Sequence, residues 1–178
     1  RLGAKKATGG INWPYGVRDL EIAPFEIDRL EVTCAEYLVF VREGGGAWPR
    51  TWCDADEQPL PYDPAWDRLP IVGLRYEEAR AYAEWRGARI TTWFEMLAAA
   101  GGPMGRSWPW AEQVTAEELR PLDRMHAARP WFKGVRDVGS TPLDRARESG
   151  CFDLYGNACE WTSSHFVLEY AGKLRVEW

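Results

Sequence analysis

At 178 residues the chain has the length of one domain with room for a real core. Its formal net charge of −5 arises from interspersed acidic and basic residues, with no block of one sign. No basic stripe offers itself to a phosphate backbone, so no nucleic-acid partner is expected. No apolar run approaches the length that spans a bilayer, so no membrane segment is expected either. Residues 1–10 are polar and lack the apolar middle of a signal peptide; a signal removed upstream stays open.

Two compositional biases stand out. Tryptophan occurs 11 times, whereas side-chain amides are confined to Asn12, Gln58, Gln113 and Asn157. Scarce thermolabile amides suit a thermophile; a GC-rich genome explains the same bias, and the sequence does not separate the two. The cysteines Cys34, Cys53, Cys151 and Cys159 form no CxxC pair. With His126 and His165 they give no zinc-ligand spacing.

In chain order, the first ~20 residues are Gly-rich and read as irregular. Ala23-Pro-Phe-Glu-Ile-Asp28 alternates apolar and polar side chains and predicts a short strand. Thr33 with Glu36 is a capping box opening a helix to about Glu43, with Tyr37, Phe40 and Val41 inward and Gly44 to Gly46 as its stop. Residues 47–70 form a long loop with five prolines and with Trp48, Trp52 and Trp66; such a loop is functional or packed by its own side chains. A second helix is predicted from Tyr76 to Trp85, with Ala79, Tyr82 and Ala83 on one face and Gly87 closing it. A second capping box, Thr92 with Glu95, opens a third helix with Met96, Leu97 and Ala100 on its apolar face. The chain to about Ser149 is mostly irregular, with one helical turn in 112–122 and a strand end and turn at 137–142. Residues 150–161 are turn-rich. Short elements and much ordered loop predict an irregular α+β domain.

Several stretches, taken in order over roughly 25–163, resemble the formylglycine-generating-enzyme (sulfatase-modifying factor) family. They are Phe25-Glu-Ile-Asp28 with Glu31-Val-Thr33 and Tyr37; Pro70-Ile-Val-Gly-Leu74 with Glu78-Ala79 and Ala83-x-Trp85-x-Gly87; Arg89-Ile-Thr-Thr92 with Glu95; Trp108-Pro-Trp110; Val138-Gly-Ser140; and Gly156-Asn-Ala-x-Glu-Trp-Thr162. The resemblance implies the family's C-type-lectin-like α+β fold in a single domain over 1–178. Thr91, Met96 and Cys159 depart from the proline and two tryptophans usual there. Lys173-Leu-Arg-Val176 resembles the approach to the family's Arg-Gly-Gly-Ser-Trp strand, which is expected to begin where the given chain ends.

The family's calcium loop maps onto residues 153–160. The resemblance implies a structural Ca²⁺ held by Asp153, the carbonyls of Gly156 and Ala158, and Glu160, a hard oxygen set that suits the ion. The alternative is that Asp153 and Glu160 only satisfy backbone N–H groups of a tight turn. The family's other calcium site has no match around 122–129. A copper site needs two nearby soft thiolates. Cys151 and Cys159 flank one loop, but a structural role is the expectation for both, because the copper-binding pair of true oxidases falls beyond the approach strand. The loop tryptophans, including Trp108, Trp110, Trp131 and Trp161, are expected mainly in the core. His126 and His165 match no nucleophile pattern. Gly101-Gly-Pro-Met-Gly105 lacks the Lys-Ser/Thr ending of a phosphate loop.

Three functions follow from the resemblance. First is a non-catalytic domain binding a protein or other macromolecular ligand, as in variable proteins of diversity-generating retroelements. Second is a copper-dependent oxidase converting a sulfatase cysteine to formylglycine, with its cysteine pair outside the given chain. Third is the sulfoxide-synthase type, whose iron-binding helical domain is not present in the sequence.

Overall fold

A computed structural model describes residues 8–13, 16–101, 135–141, 145–146, 149–164, 166–170 and 173–177. Two antiparallel hairpins frame the described chain: β1 (Thr8–Trp13) with β2 (Gly16–Glu21), and β3 (Phe166–Tyr170) with β4 (Lys173–Glu177). Thr8 faces Glu21 and Trp13 faces Gly16 in the first; Phe166 faces Glu177 and Tyr170 faces Lys173 in the second. Between them lie α1 (Cys34–Arg42), α2 (Tyr76–Trp85) and α3 (Trp93–Gly101). The first hairpin occupies a region expected to be irregular. Conversely, residues 23–28 form no strand, although Phe25 and Ile27 are half-buried while Glu26 and Asp28 are exposed. Among the described residues, no helix is long and apolar enough to cross a membrane. The expectations for Trp108, Trp110, Trp131, His126, His165, 102–105, 112–122 and 122–129 concern positions outside the described residues.

The helix starts follow the sequence chemistry. The Thr33 hydroxyl accepts from Glu36 N–H at 3.2 Å, and the Glu36 carboxylate accepts from Thr33 N–H at 2.9 Å. Two N–H groups that a helix start leaves open are thereby satisfied. At α3, Thr92 and Glu95 repeat the exchange at 2.8 and 3.2 Å. At α2 the Glu78 carboxylate reaches back to Arg75 N–H and to its guanidinium. Gly44, at φ 78°, ends α1, and a Cβ on Gly45 or Gly46 would collide with the Phe40 ring. The buried positions of α3 are Glu95, Ala99 and Gly101, with Met96, Leu97 and Ala100 only half-buried. This face is rotated from the expected one because Glu95 turns inward to meet Arg89 at 2.5 and 2.8 Å.

The proline-rich loop supplies about a third of the core cluster, with Trp52 at its centre. A 3₁₀ turn at Arg50–Trp52 buries Trp52 completely. The Asp54 carboxylate caps Asp56 and Gln58 N–H, and Asp63 caps a second 3₁₀ turn, Pro64–Trp66. Trp52 meets Trp48, Tyr62 and Tyr37 edge-to-face, with centroids at 5.0, 5.1 and 6.2 Å. Tyr37, Phe40 and Tyr82 continue the cluster onto α1 and α2. Backbone bonds from Cys34 to Leu69 and from Ile71 to Val32 fasten the loop's end beside the start of α1.

Trp52→Ala should cost about 3–5 kcal/mol in denaturant unfolding, as expected for emptying a large aromatic site. The Tyr37 hydroxyl is buried and has no hydrogen-bond partner among the described residues. Tyr37→Phe should therefore be neutral or gain up to about 1 kcal/mol, and a clear loss would show that the hydroxyl is satisfied. Glu95 is held down to about 2, first by the Arg89 hydrogen bonds, against a burial that opposes them. Its contribution is present above the ordinary carboxylate value of 4.5 and lost as pH falls toward 2. Glu95→Gln should destabilise by about 1–3 kcal/mol at neutral pH, and the gap should close in acid.

Candidate functional site

Residues 149–161 contain one isolated bridge, Phe152 with Arg145, followed by consecutive bends over 153–158, so most of their polar groups need other partners. Gly150, Asp153 and Asn157 take φ of 74°, 58° and 62°. Asp and Asn tolerate the left-handed region better than other residues with a Cβ. Cys151 C=O accepts from Ala146 N–H, Ala146 C=O accepts from Gly150 N–H, and Phe152 N–H donates to Arg29 C=O. The segment is thus anchored to the strip that precedes α1.

Asp153 is 1% exposed, and one of its oxygens accepts from Gly139 N–H at 2.5 Å. Gly139 is at φ 69°, and a Cβ there would lie 2.7 Å from Leu30. Glycine takes this φ without strain, and a larger residue would also have to displace the Leu30 side chain. Asn157 is also buried. Its Oδ1 accepts from Arg136 N–H at 2.8 Å, and its Nδ2 donates to Arg136 C=O at 3.1 Å and to Glu31 at 2.6 Å. The other Glu31 oxygen accepts from Ala158 N–H at 2.9 Å.

Electrostatically, the buried carboxyls of the site favour their protonated forms. Burial drives the Glu31 carboxyl up to about 8; the Asn157 bond opposes this, and the Asp153 and Glu160 charges push further upward. Burial likewise raises Asp153, against the Gly139 N–H. Among the described residues no Arg or Lys pairs with Glu31 or Asp153. Of the four positions named for calcium, Asp153 and Gly156 are buried, Ala158 is half-buried and Glu160 is exposed. Among the described residues, no three His, Cys, Asp or Glu side chains come together as a metal cage. The expected set never required one, since two of its four ligands are carbonyls.

The sulfatase-modifying factor enzyme 1-like domain matches residues 5–177, nearly the whole chain. The chain belongs to this family. It is similar to the inactive C-alpha-formylglycine-generating enzyme 2 of Bos taurus, at 28% identity over 84% of this chain and 63% of that protein. It is also similar to a hercynine oxygenase of Mycolicibacterium thermoresistibile, at 31% identity over 82% of this chain and 36% of that protein. A formylglycine-generating enzyme of Mycobacterium tuberculosis is 31% identical over 54% of this chain and 34% of its own length. The chain thus spans between about a third and just under two thirds of these family members.

The thiols do not gather. Cys34 and Cys151 are fully buried, Cys53 is half-buried and Cys159 is exposed; all four are free. Burial pushes Cys34 up to about 11 and also raises Cys151, so neither is a ready thiolate. Cys34, Cys53 and Cys151 each donate to a backbone carbonyl, of Pro70, Pro49 and Asp28 respectively. Trp161, expected in the core, is 48% exposed. Its indole N–H donates to Leu74 C=O at 2.9 Å and its ring stands edge-on to Tyr76, which fixes an exposed aromatic face. The sequence reading missed the roles of Glu31, Asn157 and Gly139. All three lie in stretches that carry the family resemblance, and Asn157 stands out further as an amide in an amide-poor chain.

Asn157→Ala should destabilise by on the order of 2–4 kcal/mol, because it strands both polar groups of Arg136 and one oxygen of Glu31. In chelator, the raised Glu31 and Asp153 make the fold most stable below about pH 4.5 as far as these two groups are concerned. The Glu31 contribution is lost as pH rises toward 8, and that of Asp153 as pH rises through its own raised value. Glu31→Gln should flatten that slope in the melting temperature between pH 5 and 8.

Proposed function

We propose that this chain is a calcium-stabilised, non-catalytic binding scaffold with the family's C-type-lectin-like α+β fold, presenting a rigid surface to a protein or other macromolecular ligand. The non-catalytic part is supported by what this span holds: the resemblance puts the oxidase pair outside the given chain, and none of the four thiols present stands in for it. Three of the four are spent as donors to backbone carbonyls, and the two buried ones are held protonated. The fixed, half-exposed Trp161 supports the binding part, since rigid aromatic anchors concentrate contact energy at little entropic cost.

For calcium, Asp153, Glu160 and the carbonyls of Gly156 and Ala158 are the proposed ligands. The fit rests on a buried Asp153 and an exposed Glu160 at the two ends of the 153–160 loop, with burial raising Asp153, and burial together with the Asp153 and Glu160 charges raising Glu31. A divalent cation placed there relieves both shifts. The ion supplies charge and cross-linking of the loop, with no part in a reaction.

The second reading, a copper-dependent oxidase acting on a sulfatase cysteine, is supported by the names of some relatives. One pair of experiments separates the readings. Saturating calcium should raise the melting temperature over chelator, with a gain of about 2.7 kcal/mol at a hundredfold excess over its dissociation constant; no shift removes the calcium. The natural full-length protein, copper-loaded and incubated in air with a cysteine-containing sulfatase peptide, should leave the peptide's mass unchanged. Aldehyde formation would overturn the scaffold reading.

A further inference from the structure

Glu31 lies 126 residues before Asn157, outside the loop it touches, yet it grips two consecutive residues of that loop. One oxygen takes the Asn157 amide and the other takes Ala158 N–H. The Asn157 amide has no freedom to turn over. Its oxygen already faces Arg136 N–H and its nitrogen faces Arg136 C=O, so a flip would set donor against donor and acceptor against acceptor. Glu31 therefore meets a donor of fixed direction. Asn157 is itself in the left-handed region, a conformation that persists only where its surroundings over-determine it. Residues 156 and 158, on either side of it, supply the two proposed carbonyl ligands.

We propose that Glu31 is a positioning residue of the calcium loop. Through Asn157 and Ala158 it fixes the backbone that aims the Gly156 and Ala158 carbonyls, without itself binding the ion. This rests on the calcium reading above. Partners that orient metal ligands from behind typically change affinity by about 10–100-fold when removed. The strip carrying Glu31 is in turn set by α1, whose capping box begins at Thr33 and whose entry pairs with Pro70.

The deciding variant is Glu31→Asp, which keeps the charge but withdraws the reach by one methylene. Calcium titration by calorimetry should show its affinity weakened about tenfold or more against the parent chain. Glu95→Gln, which loses the Arg89 pairing on α3, should melt earlier while keeping the parent's calcium affinity. If Glu31→Asp binds calcium as tightly as the parent, Glu31 is only a structural stitch and the proposal fails while the calcium site stands. If the parent chain itself takes up no calcium, the site reading fails and carries this one down with it. Should Glu31→Asp not fold, Glu31→Gln, which retains the length but offers a donor where an acceptor is needed, is titrated in its place, with the same weakening expected and parent-like affinity again overturning the role.

Discussion

The pairing of one asparagine side chain with both polar groups of Arg136 stands in for a strand that is not there. Buried backbone N–H and C=O groups must be satisfied, and a chain rich in loop has few ladders to do it. Asn157 presents an acceptor and a donor in the geometry of a peptide unit, so Arg136 is bonded as if by a neighbouring strand. The two remaining partners, Glu31 and the Asp153–Gly139 contact, tie the same place to the strip before α1 and to the turn at 137–139. Three segments remote in sequence are thereby joined without a sheet.

The aromatic core is the mechanical support for that junction. Trp52, Tyr37, Phe40 and Tyr82 lock the proline-rich loop to α1 and α2, and the end of that loop is stitched to the strip holding Glu31 and Thr33. Arg68, in the same loop, accepts the Val138 N–H at its carbonyl and pairs with Asp137. Packing therefore sets the positions from which Glu31 and Gly139 reach the candidate loop. The charges gathered there are costly, and the burial that makes them costly comes from the same packing.

Local chemistry made much of this legible from sequence. Capping boxes at Thr33 and Thr92 are complete within four residues, so the starts of α1 and α3 could be read directly. The Gly44 stop is equally local. Residues 23–28 show why alternation is not sufficient for a strand. Phe25 and Ile27 do turn inward, but alternation reports one-sided burial, and a strand also needs a partner backbone. Asp153 and Gly156 could be placed by resemblance, because the loop's chemistry is contiguous. Glu31 could not, since its role exists only once segments 126 residues apart meet. Trp161 was misjudged for a related reason: whether a tryptophan is covered depends on what the rest of the fold lays over it.

The four thiols divide sharply by access. Cys34 and Cys151 are sealed and Cys53 is half-covered, which leaves Cys159 alone in the open, directly between Ala158 and Glu160. In the folded chain an electrophile meets one sulfur before the others, and that sulfur sits within the loop proposed to hold the ion. A small fluorophore attached there would act as a reporter of loop occupancy without any engineered handle. The same exposure makes Cys159 the place where oxidative damage would first reach the loop.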